Sequence, residues 1–229
     1  MVGAPKPAPT HRRPTDRMLS RLTSLARRQP LAFGIGVSAV KTTAADGIAQ
    51  LYLERRPSLD RRRSAIFALW GAGYLGAVQY FIYVHLFARV LFPTASAFVA
   101  KPLAARLADR AGQLTVVKQV ALDQFVHHPF VLFPAFYCVK ESIECGALGR
   151  EEVRSAMAKY RTNIAQDCAV CWTTWIPAFL FNFSVCPLWG RIPFVAAVSF
   201  GFMTYFSFLR GGPQVEESSE RRRTGATSE

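Results

Sequence analysis

The sequence predicts an all-α protein, namely an integral membrane helix bundle with four to five hydrophobic spanning segments and short amphipathic connectors. Half of its 229 residues are hydrophobic (51%), only 19% are charged, and the charged residues avoid long windows of the chain. A transmembrane helix needs roughly 20 mostly apolar residues, whereas a soluble core helix is rarely apolar on every side over such a length. A buried soluble helix bundle is the weaker alternative.

Five hydrophobic windows account for the predicted spans. Ser64–Ala88 and Cys168–Gly190 contain no Asp, Glu, Lys or Arg in 25 and 23 residues. Ile192–Leu209 is also free of charge but is only 18 residues long, and Phe125–Val139 is only 15 residues long. Leu31–Leu53 has 23 residues but is interrupted by two charges. Two windows therefore have the length and the apolar composition of a span. Of the other three, two are shorter and one is interrupted by charges.

The positive charge lies between these windows and explains how a net charge of +13 occurs in so hydrophobic a chain. Residues 1–30 carry a net charge of +6 and residues 54–63 carry +3. These stretches flank predicted spans and lack interleaved aromatic residues, so anionic lipid explains them better than nucleic acid. We expect the lipid bilayer, anionic lipids at the basic loops and small-molecule solutes as partners, with no direct binding of nucleic acid. A homo-oligomer is compatible with the sequence.

The N-terminal region differs in composition from the rest of the chain. Residues 1–28 are basic and are expected to be partly disordered. Residues 17–28 form an amphipathic pattern with few acidic residues, which is typical of a mitochondrial or plastid transit segment. A helix lying on the membrane surface is the alternative. Residues 29–210 are predicted to form a single membrane-embedded helical domain, and residues 211–229 a disordered polar tail.

Small residues recur along one face of each of the first two predicted spans. The first row is Gly34, Ser38, Thr42, Ala45 and Ala49, and the second is Ala68, Ala72 and Gly76, with Gly73 and Ala77 beside it. Small faces let helices approach each other closely in lipid, so we expect these two helices to pack together. Coincidence is the alternative, because Ala and Gly are common in membrane helices.

The second half of the chain contains the remaining predicted elements. Residues 94–110 are expected to form an interfacial connector, and a third hydrophobic segment extends over about residues 114–147. Residues 150–163 form a charged, amphipathic lead-in to the fourth segment, which Pro177 and Pro187 are expected to interrupt. The last two segments form either one broken span or two.

Polar residues inside these segments are the candidates for function, because a charge at membrane depth is costly unless it is paired or faces water. The candidates for lining a pore or pairing within the bundle are Lys41, Asp46, Gln50, Lys118, Asp123, Gln124, His127 and Arg191. Residues four apart share a helix face, as do Asp46 with Gln50 and Asp123 with His127. These groups either line a polar interior or pair between helices, for example Lys41 with Asp123. Some instead extend to the headgroups.

Motifs for catalysis or cofactor binding are weak. Cys168 and Cys171 form a CxxC pair, but it lies in an apolar segment without a second pair, so we expect no redox or metal role. His127 and His128 lie close to Asp123, but they lack an obvious fourth ligand in the nearby sequence, so we expect no metal site. There is no phosphate-binding glycine loop and no nucleophile elbow. The sequence predicts neither an enzyme nor a cofactor.

Several motifs occur in an order and spacing similar to those of the Mpv-seventeen/peroxisomal-membrane-protein-twenty-two family. The matching residues are Asp46, Gly47 and Gln50, then Gly73, Gly76 and Tyr83, then Lys118, Asp123, Gln124 and Pro129, and finally Trp175, Asn182, Phe183, Pro187, Arg191 and Tyr205. Ala77, Tyr80 and Ile82 replace residues usual in the family, so the chain resembles a divergent member.

The resemblance implies an all-helical bundle, usually four-spanning, in the mitochondrial inner membrane or the peroxisomal membrane. It also implies channel-like passage of small solutes, with a cargo that is not settled. We therefore expect a weakly selective channel or pathway for small solutes or metabolites across the mitochondrial inner membrane. The alternatives are a structural or scaffolding membrane protein without transport activity and a peroxisomal membrane pore.

Overall fold

The computed structural model describes residues 24–26, 28–184 and 188–211, apart from the side chains of residues 183–193, and every regular element in these ranges is helical. The α-helices are α1 (Pro30–Ile48), α2 (Arg61–Leu69), α3 (Ala95–Ala100), α4 (Leu103–Ala108), α5 (Arg110–Leu122), α6 (Phe133–Cys145), α7 (Arg150–Ser184) and α8 (Leu188–Arg210). Four π-helical segments continue them, with Ala49–Leu53 after α1, Trp70–Val78 and Phe81–Leu91 after α2, and Asp123–Leu132 between α5 and α6. The predicted all-α class is confirmed for the described residues.

Local sequence explains where several helices begin and end. Pro30 opens α1, where its missing N–H is no loss. The Asp60 side chain caps α2 by accepting from the backbone N–H of Arg63, and Asp109 caps α5 in the same way through Gly112. Gly146 has a φ of 73°, the left-handed conformation that commonly ends a helix, and it follows the last residue of α6.

The predicted number of four to five membrane spans is not confirmed by the length and hydropathy of the described helices. Among the described residues, only the stretch Arg61–Leu91 is both long and apolar enough to cross a membrane by length and composition. Phe194–Arg210 is apolar but shorter. The other predicted spans contain or adjoin charged residues, so four to five spans stay a prediction.

The expected interruption of the fourth hydrophobic segment at Pro177 is wrong, because α7 continues through this residue to Ser184. The charged residues of the predicted lead-in, 150–163, form the first turns of this same helix. Pro187 lies outside the described residues. The described part of α7 ends at Ser184 and that of α8 begins at Leu188, so the choice between one broken span and two stays a prediction.

The long helices form a closed ring. α1 packs against α8 on one side and against α2 and its π-helical continuation on the other. α8 in turn packs on α7, α7 packs on α6, and α6 returns to α2. Buried aromatic side chains fill the interior of the ring, and Trp70, Phe136 and Phe206 contact one another or share neighbours there. This arrangement brings side chains from all five helices towards one axis.

The predicted packing of the first two helices is confirmed, although through only part of the small-residue rows. A Cβ placed on Gly76 would lie 2.6 Å from the Cα of Ile35, and one on Gly71 would lie 2.6 Å from the carbonyl oxygen of Ser38. Glycine is therefore required for the two backbones to come this close. Gly34 and Gly73 have open space around them and do not contribute to this contact.

Asp46 is the centre of a buried polar network that joins three helices. Its side chain is fully buried, and its Oδ1 accepts hydrogen bonds from Arg63 Nε at 2.8 Å and from Ser207 Oγ at 2.7 Å. Its Oδ2 accepts from Gln50 Nε2 and Ser64 Oγ, both at 2.8 Å. Every oxygen of the carboxylate thus has two donors, so burial of the charge is compensated.

The same network extends to the loop that joins α1 to α2. Both terminal nitrogens of Arg63 contact the carboxylate of Glu54, at 2.7 and 2.8 Å. Burial acts to raise the pKa of Glu54, but hydrogen bonds from Arg63 and Arg56 outweigh this effect and leave the pKa lowered. Gln50 Oε1 accepts from the backbone N–H of Asp60 at 2.6 Å, which ties the loop back to α1.

A second buried network closes the ring between α6, α7 and α8. The side chain of Asp167 is fully buried, and it accepts from Arg210 Nε at 2.7 Å and from the Tyr137 hydroxyl at 2.8 Å. Arg210 also donates to Gln166, and Lys140 donates to the backbone carbonyl of Arg210. Because each network joins α8 to other helices, the two together fix the position of α8.

We predict that Gly76→Ala lowers the melting temperature of the purified protein, because the added methyl group must push α1 away from the helix that carries it. Overpacking of this kind costs about 1–3 kcal/mol. Gly73→Ala is the matched control, since it makes the same change three residues away where space is open. Thermal unfolding in detergent measures both variants. Equal melting temperatures for the two would contradict the proposed close approach.

We predict that Asp46→Ala destabilises the bundle by about 3–5 kcal/mol, the usual cost of removing one partner from a buried ion pair. The physical reason is that Arg63, itself only 3% exposed, would lose a carboxylate while staying buried. Lys101→Ala, which removes an exposed pair with Asp109, should change stability far less. Denaturant unfolding of the two variants tests this difference, and a similar loss in both would contradict it.

Candidate functional site

A cavity of about 490 Å³ lies at the centre of the helix ring. The residues that line it are Ser38, Lys41, Trp70, Leu75, Gln79, Tyr83, His128, Leu132, Phe133, Trp175, Phe179, Asn182, Val195, Ala196, Ser199, Phe202, Met203 and Phe206. They come from α1, the continuation of α2, the stretch around Pro129, α7 and α8. A mostly apolar wall of this size with a few polar groups is typical of a small-molecule site.

Lys41 provides the fixed positive charge among the described residues of this cavity. Its Nζ donates to Ser199 Oγ at 2.6 Å, so α1 is joined to α8 across the cavity wall. The predicted example of pairing, Lys41 with Asp123, is wrong. Asp123 instead bonds to residues on its own helix and to Tyr83, so its charge is already compensated by other donors.

Asp123 organises a buried cluster directly behind the cavity wall. Its Oδ1 accepts from the Tyr83 hydroxyl at 2.8 Å and is 2.9 Å from His127 Nδ1, while its Oδ2 accepts from Gln124 Nε2 at 3.0 Å. His127 Nε2 is 3.0 Å from the Tyr74 hydroxyl. Tyr83 thus has its ring in the cavity wall and its hydroxyl on Asp123.

Pro129 lies inside the π-helical segment that carries this cluster, and it has no N–H to donate. In an i to i−5 pattern the missing donor leaves the carbonyl of Gln124 free, and Trp172 Nε1 of α7 donates to it at 2.8 Å. The carbonyl of Pro129 is in turn the acceptor for the Tyr160 hydroxyl. Side chains of α7 therefore replace the lost backbone bonds and attach α7 to this segment.

Asp123, His127 and His128 each offer a ligand atom, and these atoms lie within 4.8 Å of one another. Two imidazoles and a carboxylate are a donor set that suits a transition-metal ion. The same atoms are already used within the protein, because His128 Nδ1 lies 2.7 Å from the carbonyl of Asp123 and both nitrogens of His127 have partners. A metal ion would have to displace these hydrogen bonds.

The eight polar residues predicted from the sequence are separated into different environments. Lys41 lines the cavity, Asp46 and Gln50 belong to the buried network between α1 and α2, and Lys118 is exposed on α5. The remaining predicted residues of the described chain, Asp123, Gln124 and His127, form the cluster behind the cavity wall. The side chain of Arg191 lies outside the described residues.

The residues that carried the family resemblance also occupy several environments. Tyr83, Trp175 and Asn182 line the cavity, and Gly76 lies at the close contact with α1. Tyr205 is 47% exposed. Pro129 shapes the segment described above, and Phe183 and Pro187 lie outside the described side chains.

The two cysteines of the CxxC pair are buried and free on α7. Cys171 Sγ donates to Gln124 Oε1 at 3.4 Å, so it contacts the Asp123 cluster although the two are far apart in sequence. The absence of a redox or metal role stays a prediction.

Sequence reasoning missed three polar groups that matter to the cavity and its support. Gln79 and Ser199 line the cavity, and Ser207 bonds to both Asp46 and Arg63. An isolated serine or glutamine in an apolar segment gives no signal by itself, because such residues commonly bond to their own helix. Arg63 directly precedes the charge-free window Ser64–Ala88, but the sequence did not reveal that its partner is Asp46.

Comparison with known proteins agrees with the resemblance found in the sequence. The sequence model of the Mpv17 / PMP22 family matches residues 146–207, which include all of α7, most of α8 and nine residues of the cavity wall, Trp175 and Asn182 among them. The chain is 24% identical over 196 residues to Protein sym-1 of Neurospora crassa, an alignment covering 85% of this chain and 99% of that protein. No solved structure matches. Residues 146–207 are therefore similar to the Mpv17 / PMP22 family, and most of the chain aligns with Protein sym-1.

Proposed function

We propose that this protein is a multi-span, non-enzymatic protein of the mitochondrial inner membrane that provides a weakly selective pathway for small solutes. Similarity to the Mpv17 / PMP22 family supports an organelle membrane protein. The more specific function rests on one observation, the cavity to which all five long helical stretches contribute. A cavity on the axis of a helix ring is where a pathway across the bilayer would lie.

The outer surface of the ring supports insertion into a bilayer. Large apolar side chains are exposed on several helices, among them Val40 at 72%, Val90 at 67% and Phe130 at 71%. In the most apolar window of Arg61–Leu91 only 33% of the residues are buried within the protein. Soluble proteins rarely expose apolar surface to this extent, whereas lipid tails would cover it at no cost.

The basic loop between α1 and α2 supports contact with anionic lipid. Arg55, Arg61 and Arg62 are exposed next to the apolar stretch that Arg61 begins. Arginines at the end of a membrane segment are attracted to anionic headgroups, which contribute about 1 kcal/mol for each cation. In this proposal the loop lies at the membrane surface.

A structural or scaffolding role is the alternative. The buried network around Asp46 favours this role for some of the polar residues that the sequence singled out. Asp46, Gln50 and Arg63 are saturated with partners and do not line the cavity. These residues hold α1, α2 and α8 together. A scaffolding protein needs only such contacts between helices, whereas a transport pathway also requires that solutes pass through the cavity.

We predict that Ala196→Trp strongly reduces conductance of the purified protein in planar bilayers, because the indole ring would occupy the central cavity that Ala196 lines. Ala197→Trp is the matched control, since both alanines are exposed but only Ala196 lines the cavity. This control variant should conduct like the unsubstituted protein.

Equal conductance in the two tryptophan variants would place the pathway elsewhere. The absence of any conductance in the unsubstituted protein, with Asp123→Asn altering thermal stability alone, would overturn the transport proposal. The scaffolding alternative would then account for the fold. A conducting protein found in peroxisomes would support the peroxisomal pore instead.

We predict that deleting residues 2–28 abolishes mitochondrial import of the protein fused at its C-terminus to a fluorescent protein. The amphipathic basic pattern of residues 17–28 is the reason for this expectation. Deletion of residues 2–14 is the control, because it leaves that pattern intact. Microscopy with mitochondrial and peroxisomal markers measures the outcome, and retention in mitochondria after the longer deletion would contradict the transit role.

A further inference from the structure

Among its described residues, the central cavity presents one fixed positive charge in a wall that is otherwise mostly apolar. Lys41 Nζ has Ser199 Oγ as its hydrogen-bond partner, and no carboxylate belongs to the described residues that line the cavity. An ammonium group that is partly removed from water and lacks a counter-ion is costly. A bound anion would compensate this charge.

The negative charge of Asp123 does not fill that role. Its carboxylate accepts from Tyr83, Gln124 and His127, and it does not belong to the cavity wall. Tyr83 and His128 stand between Asp123 and the cavity, since both line the cavity and both contact Asp123. Among the described residues that line the cavity, Lys41 therefore provides the fixed charge.

Asn182 supplies an independent sign that a ligand is accommodated. Its side chain lines the cavity and is only 4% exposed, yet its Oδ1 is buried without a hydrogen-bond partner in the described structure. A buried acceptor left unpaired costs free energy, and such groups in native proteins are commonly satisfied by a ligand or a water molecule. This oxygen has almost no accessible surface, so a ligand group that donates a hydrogen bond would satisfy it once the Asn182 amide turned towards the cavity.

The surfaces between these polar groups are apolar. Trp70, Trp175, Phe202 and Phe206 contribute ring faces or edges, and Leu75 and Met203 contribute aliphatic surface. An aromatic or aliphatic body would be removed from water against these side chains. Small inorganic ions would leave this surface uncovered.

We infer that the cavity binds small organic monoanions that combine a carboxylate, an apolar body and a hydrogen-bond donor distant from the carboxylate. The carboxylate contacts Lys41, the donor contacts Asn182 Oδ1, and the body lies against the aromatic wall. This inference deepens the proposed function, on which it rests, by naming the chemical class of solute that the pathway prefers.

Isothermal titration calorimetry of the full-length protein in detergent tests this inference. The probes are 4-hydroxybenzoate, 4-hydroxyphenylacetate and 3-(4-hydroxyphenyl)propionate, which differ in the distance between carboxylate and hydroxyl. Each is compared with its analogue lacking the hydroxyl, and tyrosol serves as the uncharged phenol. We expect at least one hydroxylated acid to bind about 10-fold or more tightly than both its deoxy analogue and tyrosol, as a satisfied buried acceptor and a charge-assisted hydrogen bond predict.

Two substitutions assign the contacts. Lys41→Gln should weaken binding of the acids about 10-fold or more without affecting tyrosol, and Lys41→Arg should retain the preference for acids. Asn182→Leu should remove the preference for the hydroxyl group. Lys118→Gln changes the net charge equally but lies at an exposed position on α5, so it should bind like the unsubstituted protein. Thermal unfolding confirms that each variant is folded.

Conductance of the same preparation separates this inference from the proposed function. If the protein conducts but binds none of the acids, or binds acids and tyrosol equally, the inference is overturned and the pathway stands. If the acids bind as expected but no conductance is found, the ligand class is supported and the transport proposal fails. Binding that Lys41→Gln and Lys118→Gln weaken equally would also overturn the inference.

Discussion

The buried carboxylate of Asp46 is the interaction on which the arrangement of the first, second and last helices depends. It contacts Arg63 and Ser64 of α2, Gln50 at the end of α1 and Ser207 of α8. Removal of Arg63 would leave the carboxylate charge unpaired at low dielectric, and removal of another donor would leave it with fewer hydrogen bonds, so these elements are fixed relative to one another. The close approach at Gly76 occurs on the same pair of helices and requires their alignment. The cavity wall is built on this fixed frame.

On the other side of the ring, side chains of α7 attach this helix to the π-helical segment around Pro129 by hydrogen bonds. Pro129 removes a backbone donor from the segment opposite α7, and Trp172 and Tyr160 of α7 donate to carbonyls there. A defect in one helix thereby becomes a specific attachment to another. The Asp167–Arg210 pair then joins α7 to α8, so the ring closes through directional polar bonds as well as apolar packing.

Much of the fold could be predicted from the hydrophobic windows. These windows could not predict which polar residues line the cavity and which belong to the buried networks. Lys41 and Asp46 look alike in sequence, as two charges within one apolar segment. Five residues rotate a helix by about 140° beyond one full turn, whereas the four residues from Asp46 to Gln50 rotate it by only about 40°. Helical geometry therefore separates Lys41 from Asp46, and only the fold decides which face meets the cavity. The partner of Lys41, Ser199, is 158 residues away, and no local pattern predicts such a pair.

Asp123 is buried but does not line the cavity, so its carboxylate does not face Lys41 there. If its carboxylate faced the cavity, it would neutralise Lys41 and the interior would carry no net charge. The π-helical register around Pro129 instead brings His127 and Gln124 onto the carboxylate from the same helix, and Tyr83 completes its hydrogen bonding from the opposite side. The wall formed by Tyr83 and His128 separates it from the interior. Among the described residues of the cavity wall, Lys41 thus carries the charge that a solute meets there.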